Sequence, residues 1–397
     1  MFTLLTFIAV LAVLVISHEF GHFIVARKNG IQVDEFGFGF PPRLIGIRRV
    51  SFGGKKKWQI IWHKRQLEEV LEHDHLGTIY SINLIPLGGF VKIKGESGFE
   101  EGANDPDSFF VKKTWQKAIV IAAGVIMNFF LAGVLLSVGY MIGMPQVGDG
   151  DAGPNSKLQV VQVMPEMPAD KVGIKSGAEI YEMSAGGQIL NAPNVNNFRE
   201  FVNSHRNEDI LVKYKFEGKN LEKTIKPEIL EGTDRAGFGV VIVNVGTVRY
   251  PWYRAIVEGF KSAGQYLFMI FAGLWSLLKQ LFAGQSLDGQ VAGPVDVAVI
   301  TGEAARMGFV YLLQLTALLS LNLAAINILP IPALDGGRLM FILIGRILRR
   351  EIKPRIENFI HTVGFVLLMA LVVTVTVKDL GTFGGGFIEW WKNLIRF

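Results

Sequence analysis

Cysteine is absent from the 397 residues. That excludes a disulfide framework and any metal site built on thiolates, so a bound metal would need histidine, aspartate or glutamate. Charge is also scarce: 19% of residues are Asp, Glu, Lys or Arg, against 50% apolar. The net charge of +5 is too small to point to nucleic acid, although the pI is near 9.2. A mean hydropathy of +0.35 is high for a soluble domain and modest for a chain wholly in lipid. Membrane spans and soluble parts are therefore expected together, in two or three folding units. The N-terminal apolar stretch has neither a basic leader nor a small-residue cleavage site. Phe2 to Ile16 begins at once and runs into Ser17-His18-Glu19, which reads as a retained span rather than a signal peptide.

What is present in quantity is long apolar sequence. A span needs about 20 mostly apolar residues. Four segments qualify: Phe2 to Ala26, Ala118 to Ile142, Gly308 to Leu329 and Phe359 to Val377. A fifth stretch, Ala255 to Phe282, carries Glu258, Lys261 and Lys279 and reads as an amphipathic helix on the membrane surface. Basic residues collect after the first span (Arg27, Lys28, Arg43, Arg48, Arg49, Lys55 to Lys57), before the second (Lys112, Lys113, Lys117), and between the third and fourth (Arg346, Arg349, Arg350, Lys353, Arg355). With four spans, all of these fall on one side, and the positive-inside rule makes that side the cytoplasm. Both termini and the region 143–307 then lie outside.

Between the spans the pattern changes. Lys57 to Trp62, following Gly53-Gly54, and the segments Thr78 to Ile85 and Phe90 to Ile93 around Pro86-Leu87-Gly88-Gly89 read as strands, the last two as a hairpin. Such an edge could pair with an extended peptide. Residues 155–246 read as a soluble α/β module. Its expected parts are a strand over Leu158 to Val163, a short helix from Pro168, a strand over Ile180 to Met183, a helix over Phe198 to Asn203, and a hairpin formed by Ile210 to Phe216 and Leu221 to Ile225.

The chemistry is carried by His18-Glu19-Phe20-Gly21-His22. Residues four apart share one helix face, so two imidazoles can grip one Zn²⁺ at about 2.0–2.1 Å each. Zinc lowers the pKa of bound water from about 15.7 to about 7, and Glu19 stands beside it as general base and later as proton donor to the leaving amine. Ionisable groups inside a span cost about 2.5–3.5 kcal/mol each at the helix centre, and a metal supplies the partner they need. Catalytic zinc usually takes a third protein ligand. His63, His73, His75 and His205 are placed in loop or module sequence, and His361 at the opening of the fourth span. Asp335, in Asn327-Ile328-Leu329-Pro330-Ile331-Pro332-Ala333-Leu334-Asp335-Gly336-Gly337, is the better candidate. Prolines break the helix there, and irregular backbone at membrane depth is tolerated only where it is buried in protein or lines a wet cavity. Taken alone, Asp335 could equally cap the next helix.

The two motifs, HExxH in the first span and NxxPxPxLDGG after the third, resemble the site-2 protease family of intramembrane zinc metalloproteases, and in particular the bacterial regulator-of-sigma-E type with a single PDZ domain. The resemblance covers nearly the whole chain. It implies Zn²⁺ held by His18, His22 and Asp335, with Glu19 as catalytic base, and substrate contacts at Asn327, less strongly at Asn322, and at Gly89 in a membrane-associated β-hairpin. It implies that residues 155–246 form a PDZ domain binding peptide C-termini, and that Gly293-Pro294-Val295 is a family loop. Single-span membrane proteins, anti-sigma-factor-like or signal-peptide-remnant, become the expected substrates, and the cell's inner membrane the expected site. Gly177-Ala178 in the module, Gly124-Val125 in the second span and Asp296 depart from the family pattern, while Asn128 keeps it.

The expected fold is thus a multi-pass α-helical membrane protein with about four transmembrane helices, a membrane-associated β-hairpin region and an inserted α/β PDZ-like domain. Its parts are 1–30 (first span with HExxH), 31–117 (cytoplasmic β-hairpin region), 118–144 (second span), 145–250 (PDZ-like domain), 251–307 (amphipathic surface region), 308–337 (third span with NxxPxPxLDGG) and 338–397 (cytoplasmic loop, fourth span and tail). Two rival readings remain at this level: an inactive PDZ-bearing membrane scaffold, against which the intact Glu19 speaks, and a metal transporter, for which a second metal cluster along the path is missing.

Overall fold

The computed structural model describes residues 2–52, 55–62, 75–96, 98, 102–147, 156–206, 208–216, 218–229, 236–284, 293–349 and 352–382. The Gly53-Gly54 turn, His63, His73 and Glu217 of the second hairpin lie outside the described residues. The helices are α1 (Phe2–Lys28), α2 (Thr114–Ile142), α3 (Pro168–Lys171), α4 (Val195–Ser204), α5 (Trp252–Phe282), α6 (Pro294–Met307), α7 (Phe309–Asn327), α8 (Asp335–Leu348) and α9 (Pro354–Thr382). The strands are β1 (Val33–Phe52), β2 (Lys55–Trp62), β3 (His75–Leu76), β4 (Ile79–Ile93), β5 (Met144–Val147), β6 (Lys157–Val163), β7 (Glu179–Ala185), β8 (Gln188–Asn191), β9 (Ile210–Phe216), β10 (Lys219–Ile225), β11 (Glu228–Ile229), β12 (Ala236–Gly237) and β13 (Val240–Val248). The chain divides into two units. One comprises Met1–Leu136, Gly259–Gly302 and Leu315–Phe397, the other Ser137–Glu258 and Glu303–Gln314.

Among the described residues, α1, α2, α7 and α9 are long and apolar enough to cross a membrane, as the sequence predicts. The protein is a multi-pass membrane protein. Helix α5 runs unbroken through Glu258, Lys261 and Lys279 and is not one of the four. In the first unit, α1 and α2 approach closely because Gly21 has no side chain: a Cβ there would overlap the Ala123 carbonyl and the Met127 side chain. Their contact continues into an apolar cluster of Phe23, Ala26, Ile31, Val33, Ile93, Phe109, Val120 and Ile121. Burying a side chain of this size fully is worth about 1.5–3 kcal/mol. The cluster therefore fixes the base of α1 against the sheet that follows it.

Two expectations are corrected here. The flanks of Pro86-Leu87-Gly88-Gly89 do not pair with each other. Val33–Phe38 of β1 lies between them, so that Phe36 is partnered by Val91 on one side and Tyr80 on the other. Burial favours this order: Phe36 meets Phe23 at 5.2 Å and Tyr80 at 6.4 Å between ring centroids, contacts that a direct hairpin would forgo. Strand β2 pairs with the far half of β1 from Ile45↔Trp62 to Phe52↔Lys55. The second correction concerns 338–358, expected as a cytoplasmic loop. Most of it is α8 and the start of α9. Leu339 and Ile342, three apart on one helix face, pack against the apolar cluster and hold α8 helical.

The second unit carries a seven-stranded sheet, ordered β10-β9-β7-β6-β13-β5 with β8 paired to β7. The strands expected at 158–163, 180–183, 210–216 and 221–225 and the helices expected at 168 and 198–203 are all present. Its core gathers Leu158, Val160, Met183, Ile210, Val212 and Phe238 with Phe198 and Val202 of α4. Helix α4 starts with a reciprocal cap. Asn194 Oδ1 accepts from the Asn196 and Asn197 N–H groups, and Asn197 Oδ1 accepts from Asn194 N–H at 2.6 Å.

Candidate metal centre

The ligands come from two helices of the first unit, α1 and α8. His18 and His22 stand one turn apart on α1 and are 7% and 6% exposed. That is low for histidines in an apolar helix, and it reflects enclosure by α2 and the Asp335 loop. Their Nε2 atoms are 3.3 Å apart. Asp335 is the first residue of α8, the position that a helix cap would adjoin. Its carboxylate turns to the histidines instead: Oδ2 lies 3.0 Å from His18 Nε2 and 3.2 Å from His22 Nε2.

These three atoms fit a zinc ion. Ligand atoms placed tetrahedrally at about 2.0–2.1 Å from a common centre are about 3.3–3.4 Å from one another. The three observed edges are 3.0, 3.2 and 3.3 Å. The donor set of two imidazole nitrogens and one carboxylate leaves a fourth position open, as catalytic zinc sites do. Among the described residues, this is the group of three or more potential ligands close enough to hold one ion.

The surroundings prepare the ligands. His22 Nδ1 is 2.8 Å from the Val120 carbonyl. A carbonyl can only accept, so Nδ1 carries the proton and Nε2 keeps its lone pair for a cation. His18 Nδ1 meets the Asn128 amide at 3.2 Å. A half-turn of that amide offers its oxygen, so it can accept from Nδ1–H when Nε2 faces a metal. Asn128 is in turn held from α7, where Ser320 Oγ donates to its backbone carbonyl at 2.8 Å. Gly124 makes room: a Cβ there would overlap His22 Nε2 and the His18 ring. The paired glycines after Asp335 act likewise. A side chain on Gly336 would overlap the carbonyls of Ile328 and Leu329, which lets α8 start hard against the end of α7.

A cavity of about 500 Å³ opens on the three ligands. Glu19 lines it, together with Val91, Ile93, Arg338 and His361. Arg338 pairs with Glu96. Gly89 is brought to Glu19, since a Cβ on it would stand 3.7 Å from Glu19 Cγ. Asn327 ends α7 with its Nδ2 3.4 Å from His18 Nε2. Asn322 is not brought in. Its side chain is exposed and donates to the Leu318 carbonyl of its own helix at 2.9 Å. His361, expected at the opening of the fourth span, is part of the cavity wall, with Nδ1 accepting from the Ala333 N–H at 2.9 Å. Gly124 and Asn128 figured in the sequence only as points of comparison with a family pattern. Their contacts to α1 are what give them a place in the site.

The family whose profile matches is Peptidase family M50, over residues 6–64 and 66–371. A candidate zinc metalloprotease of Clostridium perfringens is 32% identical over 381 residues, which cover 96% of this chain and 97% of the relative. One from Clostridium acetobutylicum is 30% identical, covering 94% and 96%. Another, from Rhizobium meliloti, is 28% identical, covering 96% of each.

Proposed function

The chain belongs to peptidase family M50 and is a zinc metalloprotease of the membrane, and from that premise we propose that it is an endopeptidase cutting transmembrane segments of other membrane proteins within or near the bilayer. The observation that carries this reading is the convergence of His18, His22 and Asp335 to within 3.0–3.3 Å of one another, with Glu19 in the same cavity, on a helix apolar enough to span.

His18 and His22 through Nε2, and Asp335 through Oδ2, would hold the zinc. When bound, zinc supplies a Lewis acid that lowers the pKa of water to about 7 and polarises a carbonyl oxygen. Glu19 takes the proton from the attacking water and passes it to the amide nitrogen that leaves. Asn327 Nδ2, beside His18, donates to the carbonyl oxygen of the scissile peptide. A substrate helix has its carbonyls already bonded, so it must be opened locally before attack. Gly89 to Ile93 offers the means. Its inner side pairs with Val33–Phe38, Val91 and Ile93 line the cavity, and an extended peptide adding along this strand would be held past Glu19. The second unit's sheet and helices act as a PDZ-like module that binds peptide C-termini or excludes substrates with bulky outer domains. The basic clusters that flank the spans put this module outside and the zinc towards the cytoplasmic half of the inner membrane. Anti-sigma-factor-like proteins and signal-peptide remnants are the substrates of this reading, as in regulated intramembrane proteolysis.

The test is co-expression of wild type and Glu19→Gln with a panel of single-span substrates, with zinc measured on the purified proteins. Cleavage should disappear in Glu19→Gln while zinc content stays at the wild-type level. Wild-type cleavage by that variant would overturn the assignment of Glu19.

A further inference from the structure

Ala333 sits at φ +81°, on the left-handed side where residues other than glycine rarely stay unless their surroundings hold them. It lies two residues before Asp335, between Pro332 and the first turn of α8, so its backbone angles set where the Asp335 carboxylate arrives. Two contacts from the fourth span hold it. The Ala333 N–H donates to His361 Nδ1 at 2.9 Å. One turn further along the same face of α9, Gly364 lies so close to Pro332 that a Cβ on it would come within 2.5–2.8 Å of the Pro332 Cβ, carbonyl oxygen and carbonyl carbon. The fourth span therefore meets this loop at two neighbouring residues, Pro332 and Ala333, with His361 supplying the polar contact.

The state of the ring follows from its partner. A backbone N–H can only donate, so Nδ1 must hold a lone pair, and His361 is the neutral tautomer with its proton on Nε2. That Nε2 is buried and, among the described residues, finds no hydrogen-bond partner. An unpaired buried donor is a cost to the fold. An apolar side chain of similar size would fill the space beside Phe341, 5.6 Å away between ring centroids, without that cost. What leucine or phenylalanine could not do is accept from Ala333.

We infer that His361 is a positioning residue of the metal centre: through Nδ1 it latches the Ala333 backbone in its left-handed conformation and thereby places Asp335 against His18 and His22. The inference rests on those three residues being the zinc ligands. It makes the fourth span, which contributes no ligand, a determinant of metal affinity. Groups that orient ligands in this indirect way are typically worth about 10–100-fold in metal affinity.

The experiment measures zinc affinity by chelator competition on the purified full-length protein in detergent, for wild type, His361→Leu, His361→Asn and Asp335→Ala. The Asn side chain can bring its amide oxygen to the place of Nδ1; Leu fills the space without accepting. His361→Leu should bind zinc about 10–100-fold more weakly and recover cleavage as free zinc is raised, while His361→Asn stays near wild type. Asp335→Ala is the control for the ligand assignment: undiminished affinity there overturns the centre itself, a result distinct from failure of the latch. A second variant covers loss of folding in His361→Leu. Combined with Ala333→Gly, which tolerates the left-handed conformation without help, it should recover part of the lost affinity. The latch is overturned if His361→Leu binds zinc as wild type does, if His361→Asn is as weak as His361→Leu, or if Ala333→Gly brings no recovery.

Discussion

A histidine pair four residues apart needs a third ligand, room and orientation, and at the scale of single residues these come from different places. The pair and Glu19 are legible in the sequence because helical spacing alone puts His18 and His22 on one face. Asp335 is legible only with that pair, since alone a carboxylate beside broken helix at the end of a span could equally cap the next helix. The room is not legible. Gly124 is one of 45 glycines, and only the close approach of α2 to α1 shows that its missing side chain is where the two rings stand. Gly124→Ala should therefore drive the imidazoles apart and lose most of the bound zinc, read by metal analysis of the purified protein, while α2 itself gains helix propensity of about 0.8–1.0 kcal/mol. Zinc retained at the wild-type level would mean that the rings have room to move. Asn322 shows the opposite error. It shares a helix and a residue type with Asn327, but it lies five positions earlier on α7, exposed, with its amide bonded to the Leu318 carbonyl of its own helix.

Elements follow the sequence where one periodicity governs them and depart from it where two segments far apart decide. The four spans and the strands of the second unit were readable because length, apolarity and alternation are local. The order within the first sheet was not. Glycines at 88 and 89 and two apolar flanks suggest a hairpin, but the Phe23, Phe36 and Tyr80 rings favour inserting Val33–Phe38 between the flanks, and no local pattern announces that. Helix α8 entered only as a helix that Asp335 could cap, and its basic residues were read as loop, although Leu339 and Ile342 give it an apolar face. Caps are a local device and can be tested locally. Asn194→Ala removes the side-chain acceptor for two N–H groups at the start of α4 and should destabilise the second unit by about 1 kcal/mol, within a range of about 0.5–2. Thermal or denaturant unfolding followed through that unit would show it, and cleavage of a substrate lacking an outer domain should be unaffected. An unchanged midpoint would argue that α4 is held by Phe198, Phe201 and Val202 alone.

For the molecule as a whole, the lack of cysteine makes its topology measurable without altering anything native. A single cysteine at exposed Lys223, in β10, should react with an impermeant thiol reagent on intact spheroplasts. One at exposed Lys113, just before α2, should react only after the membrane is opened. Labelling of both from the same side would contradict the four-span arrangement. The whole molecule also bears on when the enzyme becomes dangerous. The ligand helix is made before the residues that complete and hold the site: His18 and Asn327 are 309 positions apart, and Asp335 and His361 come later still. At about 5–20 residues per second, roughly 15–60 s of synthesis separate the two halves of the centre. Throughout that interval the growing chain carries a bare histidine pair that cannot form the three-ligand site, so a protease destined to cut polypeptides in the membrane passes through its own insertion unarmed.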